Sequence, residues 1–286
     1  MGLYPQPNVW QCGPFALKHA LVSLGIFADE EEITKIAGAK WWSGADETQL
    51  GKAARHYNCE LLVLREHEPV AAKRGLLSYL RKGIPCLLCV YNWGHWITVV
   101  KEVKGKFIVL DSKDKAVLTI VTWSELRRHW IYYDRKRKKN LYDYHPVIPR
   151  VRVQTRAKFS LARVKHMRRP ENRLLALCWD EFLADLSDIC KPRTPLSENV
   201  MSMGEFLRRH EAMIVDQVTF WHGKIQPKEA RKILEHMHFV ADTYGLIIHM
   251  EDENRAIAGL SSVLALWAAA EYGVDKIYAP KNGNNH

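Results

Sequence analysis

The 286-residue chain has no apolar run long enough to cross a membrane. Its longest apolar stretches, Ile84–Val90 and Leu260–Ala270, are shorter than the ~18 residues that a spanning helix needs. The first residues, Met1–Pro5, have neither a basic start nor an apolar core, so we expect no signal peptide. These absences exclude the sequence pattern of an integral membrane protein with spanning helices.

Cysteine is also sparse, with six residues scattered at positions 12, 59, 86, 89, 178 and 190. They lack the dense spacing of a disulfide framework. Scattered cysteines of this kind are typical of free thiols in a reducing compartment, so we predict a cytoplasmic location. Cys86 and Cys89 fall in an apolar strand pattern, where positions three apart point to opposite faces, so we interpret them as core residues. No histidine or cysteine cluster has the spacing of zinc ligands, and no metal or cofactor is predicted.

Positive charge is concentrated in one short segment. The chain carries a net charge of +10, and residues 134–169 alone hold 13 Lys and Arg against 2 Asp and Glu. We interpret this segment as a basic linker. Its run Arg135–Lys139 is compatible with binding an anionic partner or nucleic acid, while a solvated linker without a partner remains the alternative.

The linker separates two predicted domains. Residues 1–133 show helical patterns first and an antiparallel sheet second, which is typical of an α+β domain. The predicted helices are 15–25, 30–37, 48–57, 70–82 and 123–130, and the predicted strands are 59–64, 86–91, 96–103, 106–111 and 117–121. Residues 170–286 show helical periodicity at 174–189, 203–220, 227–246 and 255–272, so we predict an all-helical domain of unknown role.

A cysteine stands at the start of the first predicted helix. The segment from Gln6 leads through Cys12, Gly13 and Pro14 directly into apolar helical sequence. A thiol at a helix N-terminus faces the positive end of the helix dipole, which favours the nucleophilic thiolate. We therefore predict Cys12 as a nucleophile, with its own backbone amide and the side-chain amide of Gln6 as donors to an oxyanion.

A thiolate nucleophile needs a base, and the base needs a group that orients it. His95 begins one apolar strand pattern and Asp111 ends the next, with a turn predicted at Lys104–Gly105 between them. Because the turn lies roughly midway, a hairpin would bring His95 and Asp111 together at its open end. We predict His95 as the base and Asp111 as the orienting group.

These motifs resemble those of the bacteriocin-processing cysteine peptidases, which remove double-glycine leader peptides, and their stand-alone papain-like relatives. The resemblance rests on Gln6 and, after five intervening residues, Cys12–Pro14, on Gly94–Trp96, and on Asp111 sixteen residues after the histidine. It covers residues 1–133 only. It implies a papain-like fold, the four catalytic roles given above, and a peptide substrate with small residues such as glycine before the cleaved bond.

The residues flanking His95 are the candidate substrate-binding residues. Trp93 and Trp96 lie on either side of Gly94 and the histidine. Two interpretations stay open: the indoles pack in the core, or one of them lines the cleft together with Gly94 and keeps water from the imidazole.

The sequence thus predicts a papain-like cysteine peptidase domain followed by an all-helical domain. The predicted reaction is hydrolysis of a peptide or protein substrate through a thioester on Cys12. Two alternatives remain open: an acyltransferase that passes the same thioester to an amine, and a non-catalytic binding protein that uses the basic linker and the helical domain.

Overall fold

The structure of the protein is a computed structural model, which describes residues 3–115, 117–151 and 156–273. The chain divides into two compact units, Met1–Glu181 and Phe182–His286. The boundary falls inside helix α8 (Trp179–Ile189) and not in the predicted linker. Across the ranges described, no helix combines the length and the apolar character that crossing a membrane requires.

The first unit confirms the predicted α+β architecture. Its helices are α1 (Cys12–Ser23), α2 (Glu30–Ala37), α3 (Glu47–His56), α4 (Pro69–Leu80), α5 (Trp123–Trp130), α6 (Leu161–Met167) and α7 (Arg173–Leu177). Its strands are β1 (Cys59–Leu61), β2 (Leu64–Glu66), β3 (Cys86–Val90), β4 (His95–Val103), β5 (Lys106–Leu110), β6 (Leu118–Thr122), β7 (Tyr132–Asp134) and β8 (Lys139–Pro149).

Side-chain caps fix where several of these helices begin. The Asp29 carboxylate accepts hydrogen bonds from the amides of Glu31 and Glu32 and so satisfies two free N–H groups of α2. At α5, the Thr122 hydroxyl accepts from the Glu125 amide while the Glu125 carboxylate accepts from the Thr122 amide, which is a capping box. Both helices therefore have the bounds that the sequence predicts.

One antiparallel sheet organises the first unit. Its strand order is β1-β8-β3-β4-β5-β6, and β2 and β7 also pair with β8. One cluster of buried residues joins α1, α2 and α3 to the sheet and includes Cys89, whereas a second joins α4 and α5 and includes Cys86. Each cysteine of the Cys-x-x-Cys pair therefore packs in a different core, as predicted, because β3 is buried on both faces.

The interpretation of residues 134–169 as a linker is wrong for its first part. Residues 139–149 form β8, an eleven-residue strand that pairs with β1, β2, β3 and β7. The basic run turns between β7 and β8, where the Asp134 carboxylate accepts hydrogen bonds from the amides of Lys136 and Arg137. Residues 152–155 of the predicted linker lie outside the described residues.

The second unit is helical, as predicted, and contains α9 (Met203–His222), α10 (Pro227–Tyr244) and α11 (Glu253–Tyr272). It also contains three strands that the sequence did not predict, β9 (Lys191–Pro192), β10 (Val200–Ser202) and β11 (Leu246–His249), in the antiparallel order β10-β11-β9. Strands of two to four residues are too short to show a period-2 pattern. The start of β11 is set by Gly245, whose φ of 66° ends α10 in the left-handed region.

Candidate active site

The candidate nucleophile is the first residue of α1. Cys12 follows a single 3-10 turn (Val9–Gln11) and is buried, with 7% of its surface exposed. The N-cap Gln11 makes no side-chain hydrogen bond to the first turn, so no cap side chain engages the amides at this helix end. Gly13 lets the helix approach the sheet, because a Cβ at this position would lie 3.3 Å from Cδ1 of Trp96.

Strand β4 holds α1 against the sheet and carries the candidate base at its own start. The buried Thr98 hydroxyl donates a hydrogen bond to the carbonyl oxygen of Ala16 in α1, at 2.6 Å. His95 is the first residue of β4, and only 7% of its surface is exposed. One strand therefore fixes both the histidine and the helix that begins with Cys12.

The predicted hairpin is confirmed, and it joins the histidine to the aspartate. β4 and β5 pair around a turn at Lys104–Gly105, where both residues have positive φ angles of 51° and 77°. His95 Nε2 lies 2.7 Å from Oδ1 of Asp111, the residue after β5. The same carboxylate oxygen accepts a hydrogen bond from the Lys113 amide at 2.9 Å, which fixes its orientation.

The electrostatics favour a charged imidazole. Burial opposes the charge, but hydrogen bonds to Asp111 and to the Cys12 thiol outweigh it and raise the pKa of His95 to about 9. Burial also opposes the charge on Asp111, yet the hydrogen bonds from His95 and from the Lys113 amide hold the pKa of Asp111 below its ordinary value. Since Nε2 is bonded to Asp111, Nδ1 is the ring nitrogen left for the thiol.

Gln6 is hydrogen-bonded to Ser112, the residue after Asp111, and every hydrogen-bonding group of its side chain already has a partner. Its backbone amide donates to the Ser112 carbonyl at 2.9 Å, and the Ser112 hydroxyl donates to Gln6 Oε1 at 2.5 Å. Its side-chain nitrogen donates to the carbonyls of Asn8 and Val9, at 2.9 and 3.1 Å. Both N–H bonds of the side-chain amide are therefore used. The role of Gln6 as an oxyanion donor stays a prediction and requires that one of these bonds be exchanged for the substrate.

The three candidate substrate-binding residues differ in their surroundings. Trp96 is buried, and its indole N–H donates to the Ala45 carbonyl at 3.1 Å, so core packing accounts for it. Gly94 closes the β3–β4 turn: its amide donates to the Tyr91 carbonyl, and a Cβ there would lie 3.0 Å from that oxygen. Trp93 is 40% exposed and is the one of the three whose side chain is open to solvent.

Two residues that contact the candidate site residues, Ser112 and Tyr132, carry no signal in the sequence. Ser112 anchors Gln6, and Tyr132 stacks on Trp93 with ring centroids 3.9 Å apart. No local pattern marks either contact, because each joins residues that are distant in the chain. Within 3–115, 117–151 and 156–273, no three His, Cys, Asp or Glu side chains form a group suited to a metal ion.

Comparisons with known proteins place the likeness in the first half of the chain. A double-glycine motif protease from an AMS/PCAT transporter, solved with its leader peptide, is 18% identical and covers 50% of this chain and 90% of its own, with a TM-score of 0.38. The peptidase domain of Streptococcus ComA, a bifunctional ABC transporter of a quorum-sensing pathway, is 14% identical and covers 52% and 98%, with a TM-score of 0.40.

A Bacillus anthracis protein described as a C39-like peptidase is 11% identical and covers 50% of this chain and 93% of its own, with a TM-score of 0.37. The family that the sequence motifs resemble is thus also found among solved structures, over about half of this chain. No protein-family model matches the chain, and no curated protein sequence matches it.

Proposed function

We propose that the first unit is a cysteine peptidase that hydrolyses a peptide bond through a thioester on Cys12. The observation that carries the proposal is the position of His95, whose imidazole is hydrogen-bonded to Asp111 at 2.7 Å and lies close enough to Cys12 for that thiol to help raise the pKa of the imidazole. A buried imidazole placed between a carboxylate and a thiol can accept the proton of that thiol, which is the arrangement that activates the nucleophile in thiol peptidases.

The reaction follows from these three groups. Cys12 Sγ attacks the carbonyl carbon of the substrate, and the backbone amide of Cys12 donates to the resulting oxyanion. His95 gives its proton to the leaving nitrogen as the C–N bond breaks, which releases an amine and leaves the acyl group on sulfur. Water then attacks the thioester while His95 takes up its proton. The C–S bond breaks, and a carboxylic acid and the starting thiolate are restored.

Alkylation of the protein in the absence of substrate is the first test. Iodoacetamide should label Cys12 at neutral pH and leave the other cysteines largely unlabelled, because burial raises the pKa of each of them: Cys59 to about 11, Cys89, Cys178 and Cys190 to about 12, and Cys86 further still. Labelling is located by mass spectrometry of proteolytic fragments. His95→Ala should slow labelling of Cys12, whereas Cys59→Ser, a matched buried control, should leave it unchanged.

Peptide cleavage is the second test. From the motif resemblance we propose small residues such as glycine before the cleaved bond, so a peptide mixture varied at these positions is incubated with the wild type and with Cys12→Ser. Products formed in ¹⁸O-water should carry the label in the new carboxyl group. Equal product levels with both proteins would refute the peptidase. Products coupled to an added amine, without hydrolysis, would instead identify an acyltransferase.

Two further parts of the proposal concern surroundings and partners. All six cysteines are free, which supports a reducing compartment such as the cytoplasm. The exposed basic turn Arg135–Lys139 is proposed to contact an anionic partner or nucleic acid, and this contact would be the main function of the protein if the alkylation and cleavage tests both failed. Salt-dependent retention on an anionic matrix, lost on charge reversal of this turn, would support that role.

A further inference from the structure

The turn that precedes His95 has an unusual backbone. Between β3 and β4, three consecutive residues that are not glycine, Tyr91, Asn92 and Trp93, have φ angles of 53°, 56° and 62°. L-residues rarely adopt this left-handed region, and among these three only asparagine adopts it readily. The local sequence therefore does not account for the turn, and contacts from elsewhere in the fold have to hold it.

Two aromatic contacts and one backbone bond meet this need. The Tyr91 amide donates to the carbonyl of His129, the penultimate residue of α5, at 2.8 Å, and the Tyr91 ring lies 4.7 Å from the His129 ring. The Trp93 indole stacks on Tyr132 of β7, with ring centroids 3.9 Å apart and planes inclined by 6°. We name Tyr91, Trp93, His129 and Tyr132 the aromatic clamp.

The side chain of Arg65 in β2 also contacts the aromatic clamp. The Arg65 guanidinium lies 5.6 Å from the centre of the Trp93 ring, within the range of a cation–π contact. Its position is itself fixed, because its nitrogens donate to both carboxylate oxygens of Asp143 in β8, at 2.6 and 2.7 Å. The turn is thus held by side chains from α5, β7 and β2.

The clamp bears directly on the candidate base. His95 is the second residue after Trp93, and its backbone pairs with Val90 on the other side of the turn. The Tyr91 ring is also stacked near the imidazole, with centroids 6.4 Å apart and planes inclined by 30°. A change in the turn therefore moves the first residue of β4 and the imidazole that it carries.

We infer that the aromatic clamp sets the position of the His95 imidazole between Cys12 and Asp111, and that Trp93 and Tyr132 are positioning residues. The inference rests on the proposed function. It differs from the sequence-based prediction that Trp93 contacts substrate, because a substrate contact would not need Tyr132, and loss of Tyr132 would then leave the free protein unaffected.

The test measures the titration of the His95 imidazole as well as the reactivity of Cys12. Ring resonances of His95, assigned by comparison with His95→Ala, are titrated by NMR in the full chain for wild type, Tyr132→Ala, Tyr132→Phe and Tyr133→Ala. Tyr133 is the matched control, because it is the next residue of β7, is 53% exposed and points to the other face of the strand. Alkylation of Cys12 at neutral pH is measured on the same four proteins.

We expect Tyr132→Ala to lower the pKa of His95 by about one unit or more and to slow alkylation about tenfold or more, because small displacements of reacting groups cost this much. Tyr132→Phe, which keeps the stacked ring, and Tyr133→Ala should both match the wild type. If Tyr132→Ala does not fold, Trp93→Leu gives the same test at a half-exposed position.

Two outcomes separate this inference from the proposed function. An unchanged His95 titration and unchanged alkylation in folded Tyr132→Ala or Trp93→Leu would overturn the clamp. A His95 titration that shifts as expected, in a protein that cleaves no peptide, would refute the peptidase and leave the clamp standing.

Discussion

Because of the hydrogen bond between His95 and Asp111, we expect the free energy of unfolding to depend on pH by an amount that follows from the pKa of His95. The pKa of His95 is about 9 in the fold, against an ordinary value of 6.5. A group whose pKa is higher in the folded than in the unfolded chain stabilises the fold below the unfolded value, and this contribution is lost as the pH rises through the folded value. At ~1.4 kcal/mol for each tenfold change in proton affinity, the contribution is about 3 kcal/mol at pH 6 and close to zero at pH 10.

Other groups titrate in the same pH range, and their effects on stability have to be cancelled. Burial lowers the pKa of Lys18 to about 8, so this residue has the opposite effect and favours the fold as the pH rises. Comparing the wild type with Asp111→Asn cancels such groups, because they are common to both proteins. We expect Asp111→Asn to destabilise the first unit by about 2–3 kcal/mol more at pH 6 than at pH 10, the smaller value allowing for the share of Cys12.

The assay is urea unfolding at several pH values between 6 and 10, followed by tryptophan fluorescence. Eight of the ten tryptophans lie in Met1–Glu181, so the signal reports mainly on the unit that contains the site. A destabilisation of equal size at pH 6 and pH 10 would show that the imidazole does not hold its extra proton through Asp111. The assigned role of Asp111 would then be lost, whatever the activity of the protein.

Three further substitutions test packing and backbone conformation in the first unit. Gly75→Ala should destabilise the fold by about 1–3 kcal/mol in thermal unfolding, because its Cβ would overlap the Tyr144 hydroxyl, and Tyr144→Phe in the same chain should recover part of the loss. Arg65→Ala should cost about 2 kcal/mol, since it leaves the carboxylate of Asp143 buried without its bidentate partner, although the partial exposure of Arg65 limits the effect. Asn92→Gly should be neutral or stabilise by up to about 1 kcal/mol, since glycine adopts its left-handed backbone without strain, and a clear loss of stability would contradict the assigned conformation.

The sequence predicts those elements of the fold whose ends carry their own signal. α2 and α5 are predicted to the residue because Asp29 and Thr122 cap them locally. The hairpin of β4 and β5 is predicted because Lys104–Gly105 is a local turn. In each case the residues that determine the structure lie within a few positions of one another, so a pattern in the chain is sufficient.

β8 could not be predicted in this way. It begins at the end of the basic turn, contains two prolines (Pro146 and Pro149), and carries Asp143 and His145 at its centre, both of which are buried. The buried Asp143 is tolerated there because distant groups bind it: Arg65 binds its carboxylate, and the Trp130 indole donates to its backbone carbonyl at 2.7 Å. Charge and proline make the segment resemble a linker, and the strands β1, β2 and β3 that pair with it lie far away in the chain.

The same distinction applies within the candidate site. Cys12 and His95 begin α1 and β4, and Asp111 directly follows β5, so the hairpin of β4 and β5 and the packing of α1 on β4 bring the three residues together. The direction of the Gln6 amide is different, because it depends on the carbonyls of the 3-10 turn and on Ser112, more than a hundred residues away.

The position of the imidazole depends on distant contacts as well. Of the three left-handed residues between β3 and β4, only Asn92 favours this backbone, and the stack of Trp93 on Tyr132 links the turn to a segment that follows β6 and α5. The strands that hold this stack, β7 and β8, extend past residue 133, where the sequence motifs end. A fragment cut at residue 133 would keep Cys12, His95 and Asp111 but would lose β8, the strand that pairs with β7. We therefore expect the site to require residues up to Pro149 at least, and the peptidase motif and the structural unit that supports it do not share the same boundary.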